Sequence, residues 1–207
     1  MKKPKYIIGI DEAGRGPLAG PVAVGVSLIP ANFNWKLIPG VGDSKKLSAK
    51  NREAIFSRVT QLKKENLIDY AVVMVGAKTI DKIGIVPAIK QALEKGLTKL
   101  CKAYNISPLE LSIKLDGGLK APAIYVQQET IIKGDDKELS IGLASIMAKV
   151  TRDKYMEKIA QRAEFSGYNF DIHKGYGTKK HREAISRLGI SSEHRASFCR
   201  NIYPVRS

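Results

Sequence analysis

Tyr6-Ile7-Ile8-Gly9-Ile10 runs into Asp11-Glu12, then into Ala13-Gly14-Arg15-Gly16-Pro17-Leu18-Ala19-Gly20-Pro21, and from there into Val22-Ala23-Val24-Gly25-Val26-Ser27-Leu28. The first apolar run is short and closed by acids, which predicts a buried strand whose last residue emerges at a sheet edge. The second also reads as a strand, so the Gly- and Pro-rich stretch between them is a loop. Its GxG invites a dinucleotide-binding reading, but that fingerprint needs a helix to open at the glycines and hold a pyrophosphate at its N-terminus. Here Pro21 and a strand follow instead, and no P-loop pattern occurs. What the glycines do permit is close approach of backbone groups to a sugar or phosphate, with Arg15 adding a fork of donors.

Outward from this stretch, Ser48 to Glu65 suggests a surface helix capped by Ser48, and Leu67 to Val75 a third strand. Ile85, Ile89, Leu93, Leu97 and Leu100 recur at helical spacing, predicting a helix from Ile85 to Tyr104 packed by one face. Leu111 to Leu115 alternates as a strand ending at Asp116, and Ala123 to Val126 is a weaker strand candidate. Leu143, Ile146, Met147 and Val150 predict a long helix from about Ser140 to Glu164, and Thr178 to Leu188 another, capped by Thr178 and stopped by Gly189. This order implies an α/β fold with a central mixed sheet flanked by helices. No segment looks like a linker, so residues 1–207 are expected to form one domain. From about Ser166 the chain is richer in His, Arg and Gly and reads as a small C-terminal helical appendage.

The 207 residues carry 35 Lys plus Arg against 20 Asp plus Glu, a net charge of +15 that favours a polyanionic partner. A membrane span is excluded in the uncharged run Gly16 to Trp35, because Pro17, Pro21 and Pro30 would break a helix there. A signal peptide fails too, since the apolar stretch after Lys2, Lys3 and Lys5 ends at Ile10. Cys101 and Cys199 lack CxxC spacing and are expected as free thiols of a cytoplasmic protein.

Against the basic background, acids sit at strand ends: Asp11 and Glu12 after the first strand, Asp116 after a later one, and Asp135 in the turn Lys133-Gly134-Asp135. Taken singly, each reads as a solvated loop residue. Ligands of open α/β sheets bind beyond the carboxyl ends of strands, so the four acids converge there if their strands are neighbours. Converging carboxylates repel, a conflict that Mg²⁺ or Mn²⁺ resolves with oxygen ligands, and two such ions about 3.5 to 4 Å apart clamp an in-line phosphoryl displacement. Adjacent strand residues point to opposite faces, so either the chain turns at Glu12, helped by Gly14, or one residue of the pair offers its backbone carbonyl.

Several basic and polar residues are candidates for phosphate contact. On the helix from Ser140, Ser145, Lys149 and Arg152 share one side, roughly opposite the apolar face; they face phosphates, the acids or solvent. Lys45 and Lys46 sit in a loop with Ser44, whose hydroxyl can donate to a phosphate oxygen. Lys174, Lys179, Lys180, His181 and Arg182 surround Tyr176 and suggest a backbone clamp. His173, His181 and His194 have no zinc-site spacing.

Ile10 to Pro21 resembles the N-terminal signature of type 2 ribonuclease H, ribonuclease HII. Further blocks agree in order: Asp43 to Leu47, Asp116-Gly117, Lys133-Gly134-Asp135, Ala144 to Asp153, His173 to Thr178 and His194 to Phe198. The resemblance implies a ribonuclease H-like fold that cleaves the RNA strand of RNA/DNA hybrids and cuts at single ribonucleotides embedded in duplex DNA. It implies that Asp11, Glu12, Asp116 and Asp135 hold two Mg²⁺ or Mn²⁺ ions. It further implies that Gly14, Arg15 and Gly16 read the ribose 2′-OH, and that Tyr176 packs on the following sugar. Two departures stand out: Asp116-Gly117-Gly118 replaces the more frequent Asp-Gly-Asn, and Asp136 competes with Asp135 as fourth ligand, Asp135 being preferred because the match runs through Lys133 and Gly134. Asp153 is assigned to a structural ion pair or cap. Related ribonuclease HIII enzymes carry an extra N-terminal domain and lack GRG, so the HII branch is preferred. The expected partners are hybrid and ribonucleotide-containing duplexes, with no membrane, and the enzyme is expected to be monomeric. The rival readings are a ribonuclease HIII-like hybrid nuclease and a non-catalytic basic nucleic-acid-binding protein.

Overall fold

The computed structural model describes residues 3–43 and 47–202, so the candidates Ser44, Lys45 and Lys46 lie outside the described residues. Five strands, β1 (Tyr6–Ala13), β2 (Val22–Pro30), β3 (Asp69–Val75), β4 (Leu111–Asp116) and β5 (Gln128–Ile131), form one sheet in the order β3-β2-β1-β4-β5. The β1–β2 and β2–β3 pairs are antiparallel, whereas β1–β4 and β4–β5 are parallel, giving the expected mixed sheet with β1 at its centre. The helices are α1 (Ala49–Lys64), α2 (Ala77–Ile83), α3 (Ile85–Ala103), α4 (Gly134–Lys137), α5 (Leu139–Ala160), α6 (Phe170–His173), α7 (Lys179–Leu188) and α8 (Ala196–Cys199).

Alternation along the central strands divides the core in two. Ile8, Ile10, Val24 and Val26 pack with Leu93 and Leu97 of α3 on one face. On the other, Val59 and Leu62 of α1 meet Leu143 and Met147 of α5. Here the sheet presents glycine: a Cβ on Gly9 would stand 2.0 Å from the Ser140 carbonyl oxygen, and one on Gly25 2.1 Å from that of Ala144. Ser27 bridges the seam, its Oγ donating to Ser140 O at 2.8 Å while accepting from Gly9 N at 3.2 Å. The helix thus lies directly on the sheet backbone.

Several sequence expectations need correction. The fifth strand is Gln128–Ile131 rather than Ala123 to Val126. Gln128 ties off the preceding turn, accepting from Ala121 N at 2.9 Å and donating to Tyr125 O at 3.0 Å, so Ile124 and Val126 are left exposed. The long helix ends at Ala160 and a single 3-10 turn follows, which reverses the chain and buries Phe165 beside Met156 and Phe170. The third strand starts at Asp69, with Leu67 exposed, and α2 was not anticipated.

The C-terminal helices are fastened to the Gly14–Pro21 loop. Leu18 N and Ala19 N donate to Gly175 O, Gly20 N to Glu193 O, and Arg195 N to Leu18 O. Among the described residues no helix is long and apolar enough to cross a membrane.

Candidate active site

The β1–β4 ladder ends at Ile10 opposite Leu115, while β1 continues beside β2 to Ala13. Its last residues therefore form a rim above the end of β4, and a cleft of about 440 Å³ opens there. Asp11, Glu12, Asp116 and Asp135 all line it, together with Gly14, Arg15, Gly16, Ser145, Lys149 and Tyr176. The chain does not turn at Glu12, contrary to one of the two expected ways of bringing the acids together; regular pairing persists through Glu12 and Val24. Asp11 points toward α5, where the Ser145 hydroxyl hydrogen-bonds to it. Glu12 meets Arg15 at 3.4 Å. Both line the one cleft.

Asp116 is anchored by Gly134 N, which donates to its Oδ1 at 2.6 Å. That bond brings the end of β4 against the start of α4, where Asp135 is buried and Asp136 exposed outside the cleft. Burial pushes the Asp11 carboxyl up to about 8, with Asp116 and Glu12 adding like-charge repulsion against the opposing Ser145 hydrogen bond. Glu12 is raised as well, first by burial, with Arg15 opposing. Crowded carboxylates in this state fit a hard divalent cation, whose charge removes the repulsion. Among the described residues no three acidic, His or Cys side chains converge into a ready ligand cage. Magnesium needs none, since it binds through one or two carboxylates plus substrate phosphates and retained waters.

The two glycines flanking Arg15 differ in kind. Gly14 has φ +83°, and a Cβ on it would stand 2.1 Å from Arg152 Nε, so the protein itself demands glycine there. A Cβ on Gly16 would meet nothing within 4 Å, so packing within the chain leaves that position open. Across the cleft the Tyr176 ring is 42% exposed, with Lys149 Nζ 5.7 Å from its centroid. Lys149 also pairs with Asp153 at 2.9 Å, an i, i+4 ion pair.

Arg152 is not on the open side of α5: it is fully buried, donating to Pro21 O and Ala19 O. The basic set around Tyr176 also divides. Lys179 and Arg182 line a shallow depression of about 720 Å³ along α7, whereas Lys174 is engaged by Glu157 at 2.7 Å and His181 is buried. Sequence reasoning missed Arg52 of α1, which lines the cleft, and Arg195, buried behind the Gly14–Pro21 loop.

A family model for ribonuclease HII matches residues 8–201. The chain belongs to the ribonuclease HII family. It is 43% identical over 192 residues to the ribonuclease HII of Endomicrobium trichonymphae, covering 93% of this chain and 84% of that protein. It is 44% identical over 193 residues to that of Bacillus anthracis, covering 93% and 68%. The ribonuclease H2 of Pyrococcus horikoshii superposes with TM-score 0.69 at 27% identity over 95% of this chain and 96% of that one. A ribonuclease HIII solved with Mn²⁺, Bst-RNase HIII, shares the fold, with TM-score 0.72 at 21% identity over 90% and 62% of the two chains. Membership makes the protein a ribonuclease H hydrolase, an endoribonuclease of RNA/DNA hybrids.

The three histidines are structural, and their partners fix every tautomer. Ser191 N–H donates to His194 Nδ1 (2.9 Å), so His194 Nε2 carries the proton it gives to His181 Nε2 (3.1 Å), and His181 Nδ1–H donates to Tyr176 O (2.9 Å). His173 stacks on His181 at 4.1 Å, donating from Nε2 to Tyr168 O. Burial pushes His181 down to about 4 and His194 to about 3, the latter also because His181 is its neighbour. Both rings fold neutral, so the unfolded chain binds more protons below about pH 6.5. Their contribution is complete above that pH and is lost as pH falls toward the folded values. Thermal unfolding between pH 7 and 4 should show the midpoint falling, and His194→Gln should flatten the slope; equal slopes would contradict this account.

Proposed function

We propose that the cleft cuts the RNA strand of hybrids and cuts 5′ to a single ribonucleotide in duplex DNA, leaving 3′-OH and 5′-phosphate ends. The observation that carries this reading is the gathering of Asp11, Glu12, Asp116 and Asp135 in one cleft with Gly14, Arg15, Gly16 and Tyr176. Two Mg²⁺ or Mn²⁺ ions held by these four acids would neutralise the phosphodiester and supply an activated water for in-line attack. The residues do the rest by binding and orientation. The open space beside Gly16 lets a sugar approach the backbone, Arg15 reaches a neighbouring phosphate, and Tyr176 offers an apolar face to the next sugar. Lys149 and the basic depression along α7 hold the duplex without reading its sequence. None of the three histidines lines the cleft, so an imidazole base for attack by the 2′-OH is lacking. That supports hydrolysis over transesterification, with the 2′-OH serving for recognition. Such chemistry would suit removal of misincorporated ribonucleotides and RNA primers in the cytoplasm.

A duplex with one ribonucleotide, a long hybrid and an all-DNA duplex, each incubated with Mg²⁺ or Mn²⁺, test the proposal. The expected result is one cut 5′ to the ribonucleotide, none in the all-DNA duplex, and loss of cutting in EDTA. A 2′,3′-cyclic phosphate product would overturn the mechanism. Duplex binding without scission in either metal would favour the non-catalytic reading, and cutting of the long hybrid alone the HIII-like one.

A further inference from the structure

Two arginines, neither in an ion pair among the described residues, are buried completely behind the Gly14–Pro21 loop. Arg195, from the C-terminal segment, donates from Nη2 to Gly14 O (2.6 Å), from Nη1 to Arg15 O (2.9 Å) and from Nε to Gly20 O (3.0 Å). Arg152, from α5, donates to Pro21 O (2.8 Å) and Ala19 O (3.1 Å), while its Nη1 is buried with no hydrogen-bond partner. Five carbonyls of one loop are thus turned inward on two guanidinium groups. Asp81 and Asp153 give Arg195 and Arg152 some electrostatic support without an ion-pair contact, yet burying guanidinium groups whose bonds go to carbonyls is unfavourable, and an unpaired buried donor adds to that. Merely closing a loop does not require either.

The trans peptide gives the arrangement a consequence for the cleft. An amide N–H points opposite to the carbonyl of the preceding residue. With Gly14 O and Arg15 O held on Arg195, the N–H groups of Arg15 and Gly16 point away from it, and Arg15 and Gly16 are exposed and line the cleft. Two successive donors are thereby aimed outward from a backbone that cannot rotate without breaking charge-assisted bonds. The same loop donates through Leu18 N and Ala19 N to Gly175 O, next to Tyr176, so both walls of the sugar site share one frame.

We propose that Arg195 and Arg152 are positioning residues that set ribose selectivity by fixing the Gly14–Pro21 backbone, an inference that rests on the reading of this loop as the ribose contact. Neither touches substrate. A lysine at either position keeps the charge but loses the planar fork needed to hold several carbonyls at once.

The test compares dissociation constants for a duplex with one ribonucleotide and the same duplex in all-deoxy form, with EDTA present so that no strand is cut. Their ratio is independent of the fraction of protein that is active. In Arg195→Lys the preference for the ribonucleotide should fall about tenfold or more, as expected when a charge-assisted hydrogen-bond geometry is lost. Arg152→Lys, which leaves the Gly14 and Arg15 carbonyls on Arg195, should lower it less. Val59→Ala, a core truncation in α1, serves as the control for lost stability: its melting point drops while the ratio stays at the wild-type value. Should Arg195→Lys fail to fold, the Arg152→Lys ratio decides alone. An undiminished ratio in the folded lysine variants, or a ratio that drops equally in Val59→Ala, overturns the inference. A wild-type ratio of one would instead remove the ribose-reading role of the loop and this inference with it.

Discussion

Asp116→Asn is expected to lower single-turnover cutting of a one-ribonucleotide duplex by about a thousandfold while moving the melting point by only a few degrees. Asp116 closes β4 and accepts from Gly134 N at 2.6 Å, a bond the Asn carbonyl can keep, so the placement of α4 and of Asp135 survives. What disappears is the charge. Removing one preorganised electrostatic group from a water-poor site lowers rates by about 10²- to 10³-fold, and loss of a metal-holding carboxylate belongs at the upper end. The paired control is Asp136→Asn, which removes the same charge two residues from Gly134 but on the exposed side, outside the cleft. Cutting by that variant should stay within about twofold of wild type, since an exposed charge is screened by solvent and salt. Near wild-type turnover in Asp116→Asn, or an equal loss in both variants, would remove Asp116 from the proposed chemistry and reopen the choice between Asp135 and Asp136.

The parts of this architecture that sequence reveals are those written in apolar periodicity. β1, β2 and α3 announce themselves through Ile8, Ile10, Val24, Val26, Leu93 and Leu97, which are all buried in one cluster. β5 does not, because an edge strand of Gln128, Glu129, Thr130 and Ile131 is half solvated and its ends are set by the Gln128 side chain rather than by burial. α5 gives a misleading signal for the opposite reason. From Ser140 to Val150 it is buried on nearly every side, so a polar stripe on it marks contacts with other parts of the protein as readily as with solvent. Arg152 lies on that stripe beside Ser145 and Lys149, yet it ends on loop carbonyls while they reach the cleft. Spacing reports which face a residue occupies, but what meets that face is decided by chain segments far away, here Ala19 and Pro21. Arg195 and the histidines were illegible on the same ground: His and Arg in a basic tail suggest phosphate contacts, and only their carbonyl partners show them to be internal. The acids were legible because their strand-end positions have few uses in so basic a chain.

Gly9→Ala should destabilise the protein by about 3 kcal/mol, the upper end of what overpacking costs. The new Cβ would stand 2.0 Å from both the Ser140 carbonyl carbon and its oxygen, and 2.5 Å from Ile141 N. These are backbone atoms of α5, so no rotamer change relieves the overlap; the helix must move off the sheet. Moving it breaks the Ser27 bridge to Ser140 O and loosens the Gly25 seam against Ala144 one turn later. It also shifts Ser145 and Lys149 relative to Asp11 on β1, so kcat should fall even in the folded fraction. Gly118→Ala is the matched control, since a Cβ there meets nothing within 4 Å and its φ is ordinary. At about 2 to 4 °C per kcal/mol for a chain of this size, Gly9→Ala should lower the melting point by about 6 to 12 °C and Gly118→Ala by less than about 2 °C. A Gly9→Ala protein that melts with the control would mean that α5 can ride higher on the sheet than the Ser27–Ser140 bond allows, and that the distance between Ser145 and Asp11 is not set by the two glycines.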